Sequence, residues 1–232
     1  MKPKLILMFT RNDVTVPDAI GCFEKVKDLP VDFFGFKEIG LPQDKMKKLN
    51  DMIHTAGFRS FLEVVEYDEN SIVEPAKMAV DMGFDYLMGT VYYPSIWDII
   101  DKKIKYFPFC GKIYDRPSIL DGTIDEIVAD AVAIEKAGAD GFDLLAYRYK
   151  YPDKINALVL AVKNAVAVPI VSAGSINSFA RLQQTIDQGV WGFTIGGAFF
   201  EKRFVPGGSY RDNVIAVLKK LGWGWHQGLP QC

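Results

Sequence analysis

Four times along the chain a helical stretch ends in glycine and passes almost directly into a β-rich run: TAGFRSFLEVV at Gly57, DMGFDYLMGTV at Gly83, KAGADGFDLLAY at Gly138 and DQGVWGFTIGG at Gly189. Glycine lacks the Cβ that makes the left-handed backbone costly, so it closes a helix and releases the chain into a strand. A chain built from such joints alternates α and β. The candidate strands are Leu5 to Phe9, Phe33 to Lys37, Ser60 to Glu66, Tyr86 to Thr90, Phe107 to Ile113, Gly141 to Tyr147, Pro169 to Ala173 and Trp191 to Gly196. Between them, Ser71 to Glu74 and Thr123 to Glu126 have the spacing of capping boxes, and Pro17 and Pro42 suit a first helical turn. The strands recur about every 27 residues, near the minimum for a βα unit. Eight such units in 232 residues predict a single (β/α)8 barrel spanning 1–232, with 222–232 a short tail. A doubly wound open parallel sheet competes, because periodicity does not distinguish a closed ring from an open edge.

Composition narrows the function classes. The 27 basic and 29 acidic residues nearly cancel, leaving no field to attract nucleic acid or an anionic membrane. The densest basic run, Lys45-Met46-Lys47-Lys48, falls on an expected helix as a solvated face. No stretch approaches the roughly 18 apolar residues of a membrane span, and the apolar run near the start is too short for a signal peptide, so a cytoplasmic location is expected. Cys22, Cys110 and Cys232 are odd in number and widely spaced, which points to free thiols rather than a disulfide framework or a zinc site.

The segment Val168 to Phe204 places small residues at the ends of two successive strands, Ala173-Gly174-Ser175 and Gly196-Gly197-Ala198. A phosphate group wants several backbone N–H donors at close range, and a side chain beyond Cβ blocks that approach. Gly174, Ser175, Gly196 and Gly197 are therefore candidate phosphate-binding residues, with Asn177 or Ser178 starting the helix behind the first loop. The alternative is that these glycines only permit tight turns. The stretches PIVSAGSIN, Pro169 to Asn177, and GVWGFTIGGAFF, Gly189 to Phe200, with the fainter AGADGFDLL, Ala137 to Leu145, resemble the ribulose-phosphate-binding group of TIM barrels. That group includes the histidine-biosynthesis isomerases and N-acetylmannosamine-6-phosphate epimerase. The resemblance covers the last third of the chain, and implies phosphate binding and an isomerase or epimerase of carbohydrate metabolism.

In such barrels the active site lies at the carboxyl ends of the strands. Neither histidine, His54 nor His226, falls at a strand end, so proton work passes to lysine and carboxylate residues. The candidates are Lys37 after FFGF, Glu63 within SFLEVVEY, Lys112 after FPFCG and Asp143 within GFDLLAY. A charge inside an apolar strand needs a partner or a purpose, and desolvation moves lysine and carboxylate pKa values toward neutrality. Glu63 and Glu66 have opposite parity, and Glu63 is favoured to face inward. Arg11, Arg116 and Arg148 are candidate contacts to an anionic substrate, because a guanidinium grips carboxylate or phosphate in two-pronged fashion. Arg11 and Arg116 have Asp13 and Asp115 as alternative partners. Tyr92 and Tyr93 are expected to line a pocket or cover the core, and Trp223 and Trp225 to pack or mediate a homo-oligomer contact.

The expected function is proton transfer beside the carbonyl of a small phosphorylated metabolite, giving isomerisation or epimerisation without a cofactor or a resident metal. A carboxylate, Asp143 or Glu63, would take the proton while Lys37 or Lys112 met the enolate oxygen. Two other readings stand beside it: a Schiff-base aldolase using Lys112 or Lys37, and a non-catalytic barrel that senses a phosphorylated metabolite.

Overall fold

The computed structural model describes residues 2–223. Its eight parallel strands are β1 (Lys4–Met8), β2 (Phe33–Lys37), β3 (Arg59–Glu63), β4 (Tyr86–Met88), β5 (Lys105–Phe107), β6 (Phe142–Leu144), β7 (Ile170–Ser172) and β8 (Gly192–Ile195). They pair in the order β6-β7-β8-β1-β2-β3-β4-β5, so the first strand lies beside the eighth. The remaining seam is joined by the N–H of Asp140 to the C=O of Tyr106 at 2.9 Å, the N–H of Asp143 to the C=O of Pro108 at 3.0 Å, and a parallel bridge between Phe109 and Asp143. The sheet is a (β/α)8 barrel, not an open doubly wound sheet. Around it run α1 (Ala19–Glu24), α2 (Gln43–Thr55), α3 (Glu69–Asp81), α4 (Pro94–Ile100), α5 (Ile124–Lys136), α6 (Ile155–Ala165), α7 (Phe179–Gln188), α8 (Gly197–Phe200) and α9 (Tyr210–Lys220).

The helix-to-strand joints follow their glycines: Gly57, Gly83, Gly138 and Gly189 all have positive φ. Thr123 and Glu126 form the expected capping box of α5, whereas α3 starts earlier than its sequence suggested, because the Asp68 carboxylate accepts from the N–H of Ser71. Ser178, not Asn177, caps α7. No helix among the described residues is long and apolar enough to cross a membrane. Cys22 and Cys110 are buried free thiols, and Cys232, His226 and Trp225 lie outside the described residues.

Successive strand residues face opposite sides of the sheet, and here both sides are buried. On β2, Phe34 points outward, stacking on Phe9 with ring centroids 5.6 Å apart and meeting Phe23 edge-on at 5.1 Å. The inward rows form a separate cluster of Ile6, Met8, Phe33, Phe61, Tyr86, Met88, Phe107 and Val171. Phe61 and Tyr86 stack at 4.0 Å, and the Lys4 ammonium sits 4.9 Å from the centroid of Trp191. Each ring contributes about 1.5–3 kcal/mol by leaving water, so this aromatic plug anchors the amino-terminal end of the barrel. The same inward rows change character at their carboxyl ends. Gly35 is followed by Lys37 on β2, Phe61 by Glu63 on β3 and Gly141 by Asp143 on β6.

Three strand assignments change: β6 stops at Leu144 rather than Tyr147, with Ala146–Arg148 in a 3-10 turn. β3 stops at Glu63 rather than Glu66, and the fifth strand is Lys105–Phe107 rather than Phe107 to Ile113. After Pro108 the chain turns at Gly111, which has φ 83° and whose N–H is held by the Asp130 carboxylate at 2.7 Å. Lys112–Tyr114 and Ile119–Asp121 then form a separate antiparallel hairpin outside the barrel sheet.

Candidate active site

The carboxyl ends of the strands surround a cavity of about 300 Å³. Lys37 forms its positive centre. Its side chain is 5% exposed, with Nζ 3.2 Å from Asp13 Oδ1 and 3.8 Å from Glu63 Oε1. Lys37 and Glu63 are direct partners in the β2–β3 register, which places the two side chains side by side on the inner surface. Asp13 arrives from a different direction, at the tip of the hairpin formed by Thr10–Arg11 and Val14–Thr15. That hairpin is seated on the end of β2: the Thr15 hydroxyl donates to the C=O of Lys37 and accepts from its N–H, both at 2.8 Å. The same Asp13 oxygen accepts from Arg148 Nη2 at 3.3 Å.

These neighbours decide the charge states. Burial alone would lower the Lys37 pKa, but the carboxylates of Glu63 and Asp13 outweigh it and the net displacement is upward. Lys37 is a firm ammonium. For Asp13 burial pushes upward, and Lys37 with Arg148 more than reverses it, holding the carboxyl below its usual value. Asp143 is the opposite case: fully buried, with neither carboxyl oxygen hydrogen-bonded, it is pushed well above the carboxylate range by burial and then by Glu63. Gly89, at φ 88°, packs against both acids, because a Cβ there would lie 3.0 Å from Glu63 Cγ and 3.5 Å from Asp143 Oδ2.

The opposite wall carries the bare backbone. Gly174, Ser175, Gly196 and Gly197 all line the cavity. Gly174 has φ 82°, and a Cβ on it would come within 2.9 Å of Arg148 Cγ. At Gly196 a Cβ would strike Thr10 Oγ1 at 2.5 Å, so this glycine lets the first hairpin pack against β8. Gly197 is different. Its added Cβ would meet nothing closer than Glu201 Oε1 at 3.8 Å, so packing does not require glycine there. Gly197 and Ala198 open α8, where the first N–H groups have no carbonyl in a preceding turn. Among the described residues, the N–H groups of Gly174 and Ser175 also have no backbone acceptor.

Of the residues singled out from sequence, Lys37, Glu63, Arg11, Arg148 and the four small residues converge on this cavity. Asp143 lies beneath it rather than on its surface. Lys112 is not brought to it: the turn at Gly111 carries this lysine into the outer hairpin, exposed, with Nζ 5.8 Å from the Tyr114 ring centroid. Arg116 lies beside the cavity rather than in it and pairs with Glu66 at 2.8 Å. Tyr92 and Tyr93 cover the core and hydrogen-bond to the carbonyls of Ala137 and Tyr67. Trp223 is 42% exposed. Asp13 is the residue that sequence reasoning left as a mere partner for Arg11. The signal for it was the Asn12-Asp13 turn, whose two positive φ values of 52° and 60° fold the hairpin back over the barrel mouth.

No protein-family model and no curated protein matches the sequence. In three dimensions the chain is similar to orotidine 5′-phosphate decarboxylase from Pyrococcus horikoshii, with TM-score 0.68 and 12% identity over 95% of this chain and 100% of that one. It is also similar to thiamine phosphate pyrophosphorylase from Pyrococcus furiosus, with TM-score 0.66 and 14% identity over 95% and 96% of the two chains. The N-acetylmannosamine-6-phosphate 2-epimerase from Clostridium perfringens matches with TM-score 0.61 and 14% identity over 87% of this chain and 91% of its own. The fold that these proteins share with this chain is the (β/α)8 barrel.

Proposed function

We propose that the protein is an enzyme that moves a proton beside the carbonyl of a small phosphorylated metabolite, an isomerase or epimerase acting on a sugar phosphate. The observation that carries this reading is that one cavity has the Lys37–Glu63 pair on one wall and the open backbone of Gly174, Ser175, Gly196 and Gly197 on the other. Phosphate seated against that backbone fixes one end of the substrate and brings its carbonyl toward Lys37. The Glu63 carboxylate takes the proton from the neighbouring carbon. The C–H electron pair becomes the new C=C bond, and the carbonyl oxygen gains the negative charge that the Lys37 ammonium meets. Delivery of a proton to the opposite face of the same carbon completes epimerisation; delivery to the former carbonyl carbon, with the neighbouring hydroxyl losing its proton and the enolate oxygen gaining one, completes isomerisation. Asp143, which retains its proton through burial, spares the barrel interior a further negative charge beside Glu63.

The Schiff-base alternative needs a neutral amine, and Lys37 is held charged while Lys112 lies outside the cavity. The test is exchange of carbon-bound hydrogen into D2O, followed by NMR over a panel of aldose and ketose phosphates. Wild-type protein is expected to exchange the hydrogen beside the carbonyl of at least one of them, and Glu63→Gln to slow that exchange by about 10²–10⁴-fold. Exchange at an undiminished rate in Glu63→Gln would refute the assignment of the base.

A further inference from the structure

The cavity has a side compartment that the proposed reaction leaves unexplained. It measures about 470 Å³ and shares Pro117, Ser118, Arg148 and Ser175 with the main cavity. Its outer wall is Asp115, Arg116 and Ile119, from the hairpin that follows β5. That hairpin adds no strand to the barrel sheet, and extra loop structure at this end of such a barrel commonly shapes substrate choice.

Arg116 is set in place there. Its guanidinium lies 5.4 Å from the Tyr67 ring centroid, and Nη2 donates to Glu66 at 2.8 Å. Tyr67 is itself fixed, because its hydroxyl donates to the C=O of Asp115 at 2.7 Å and meets the buried Ser118 hydroxyl at 2.6 Å. A guanidinium has five N–H donors, and Glu66 engages one of Arg116's. Arg148 stands at the junction of the two spaces, packed against Gly174 and held by Asp13. The side compartment thus presents two guanidiniums beside the Asp115 carboxylate, each held by one further carboxylate, Glu66 or Asp13, and each with N–H donors left over for a ligand. A substrate with a single phosphate would leave this volume and the remaining Arg116 donors unused.

We infer that the substrate carries two anionic groups: the phosphate at the strand-end backbone, and a carboxylate or second phosphate in the side compartment between Arg116 and Arg148. This rests on the phosphate-anchor reading above and narrows its substrate class. Matched pairs test it by calorimetry: ribulose 5-phosphate against ribulose 1,5-bisphosphate, and glucose 6-phosphate against 6-phosphogluconate. In the wild type at least one doubly anionic member is expected to bind tenfold or more tightly than its partner, and which pair responds tells phosphate from carboxylate. Arg116→Gln, at a half-exposed position that leaves the barrel core intact, is expected to bring that ratio toward one. Equal affinities within both pairs in the wild type would overturn the inference while leaving the phosphate anchor standing, as would a ratio unchanged in Arg116→Gln. If no phosphorylated probe binds, the anchor itself fails and the inference falls with it.

Discussion

Glu38 lies just past the end of β2, where its carboxyl is largely buried and Oε2 has no hydrogen-bond partner. Burial raises its pKa from the ordinary 4.5 to about 7; its own backbone N–H and Lys37 oppose this, and the carboxylates of Glu63 and Glu66 add to it. Below pH 4.5 the group is protonated whether the chain is folded or not. Between 4.5 and about 7 the unfolded chain releases the proton while the folded protein keeps it, so rising pH favours unfolding. Above 7 the penalty is complete. At 1.36 kcal/mol for each tenfold change in proton affinity, the gap amounts to about 3 kcal/mol. Glu38→Gln removes the titration while keeping the shape. For a chain of this size 1 kcal/mol moves Tm by about 2–4 °C, so the variant should melt about 6–12 °C above wild type at pH 8. Below pH 4.5 the two should converge. Differential scanning calorimetry between pH 4 and 8 measures this directly. An advantage that is absent at pH 8, or equally large at both ends, would refute the reasoning.

Two further outcomes follow from the same geometry. Gly174→Ala forces a Cβ onto a backbone at φ 82° and into Arg148, so it should lower stability by about 1–3 kcal/mol and weaken phosphate binding together, read by thermal melting and calorimetry. Borohydride added with a carbonyl substrate should leave no adduct on Lys37, because that lysine stays protonated; a peptide mass shift at Lys37 would show that the carboxylate pair fails to hold it charged.

The parts of the fold carried by local rules were legible in the sequence. The four glycine joints announced the helix ends through backbone sterics, and strand parity favoured Glu63 over Glu66 for the inner surface while leaving Lys37 and Glu38 undecided. The bare backbone at Gly174 and Gly197 was visible because small residues at two adjacent strand ends are a local pattern. Closure of the ring was not, since it rests on β5–β6 hydrogen bonds between residues about 35 apart in sequence. Lys112 was misplaced because the apolar run FPFCG leads straight into the turn at Gly111, whose N–H is held by the Asp130 carboxylate on α5, 19 residues away. Asp13 was undervalued for the same reason: its partners, Lys37 and Arg148, are 24 and 135 residues away. Asp143 is fully buried beneath the cavity with Gly89, just past the end of β4, packed near it across the barrel, and no periodicity reports that.

The central claim is that substrate is anchored by phosphate on the loops after β7 and β8. Calorimetric titration of inorganic phosphate, and of glucose, ribose and N-acetylmannosamine against their phosphates, tests it on the wild type and on Gly197→Asp. The structure has room for that side chain, since Glu201 Oε1 at 3.8 Å is the nearest atom to an added Cβ, so the variant should fold and set a carboxylate where the phosphate belongs. The account predicts that at least one sugar phosphate binds tenfold or more tightly than its parent sugar, that inorganic phosphate competes with it, and that Gly197→Asp abolishes both effects. Sugars that bind as well as their phosphates, or phosphate binding that survives Gly197→Asp, would contradict it.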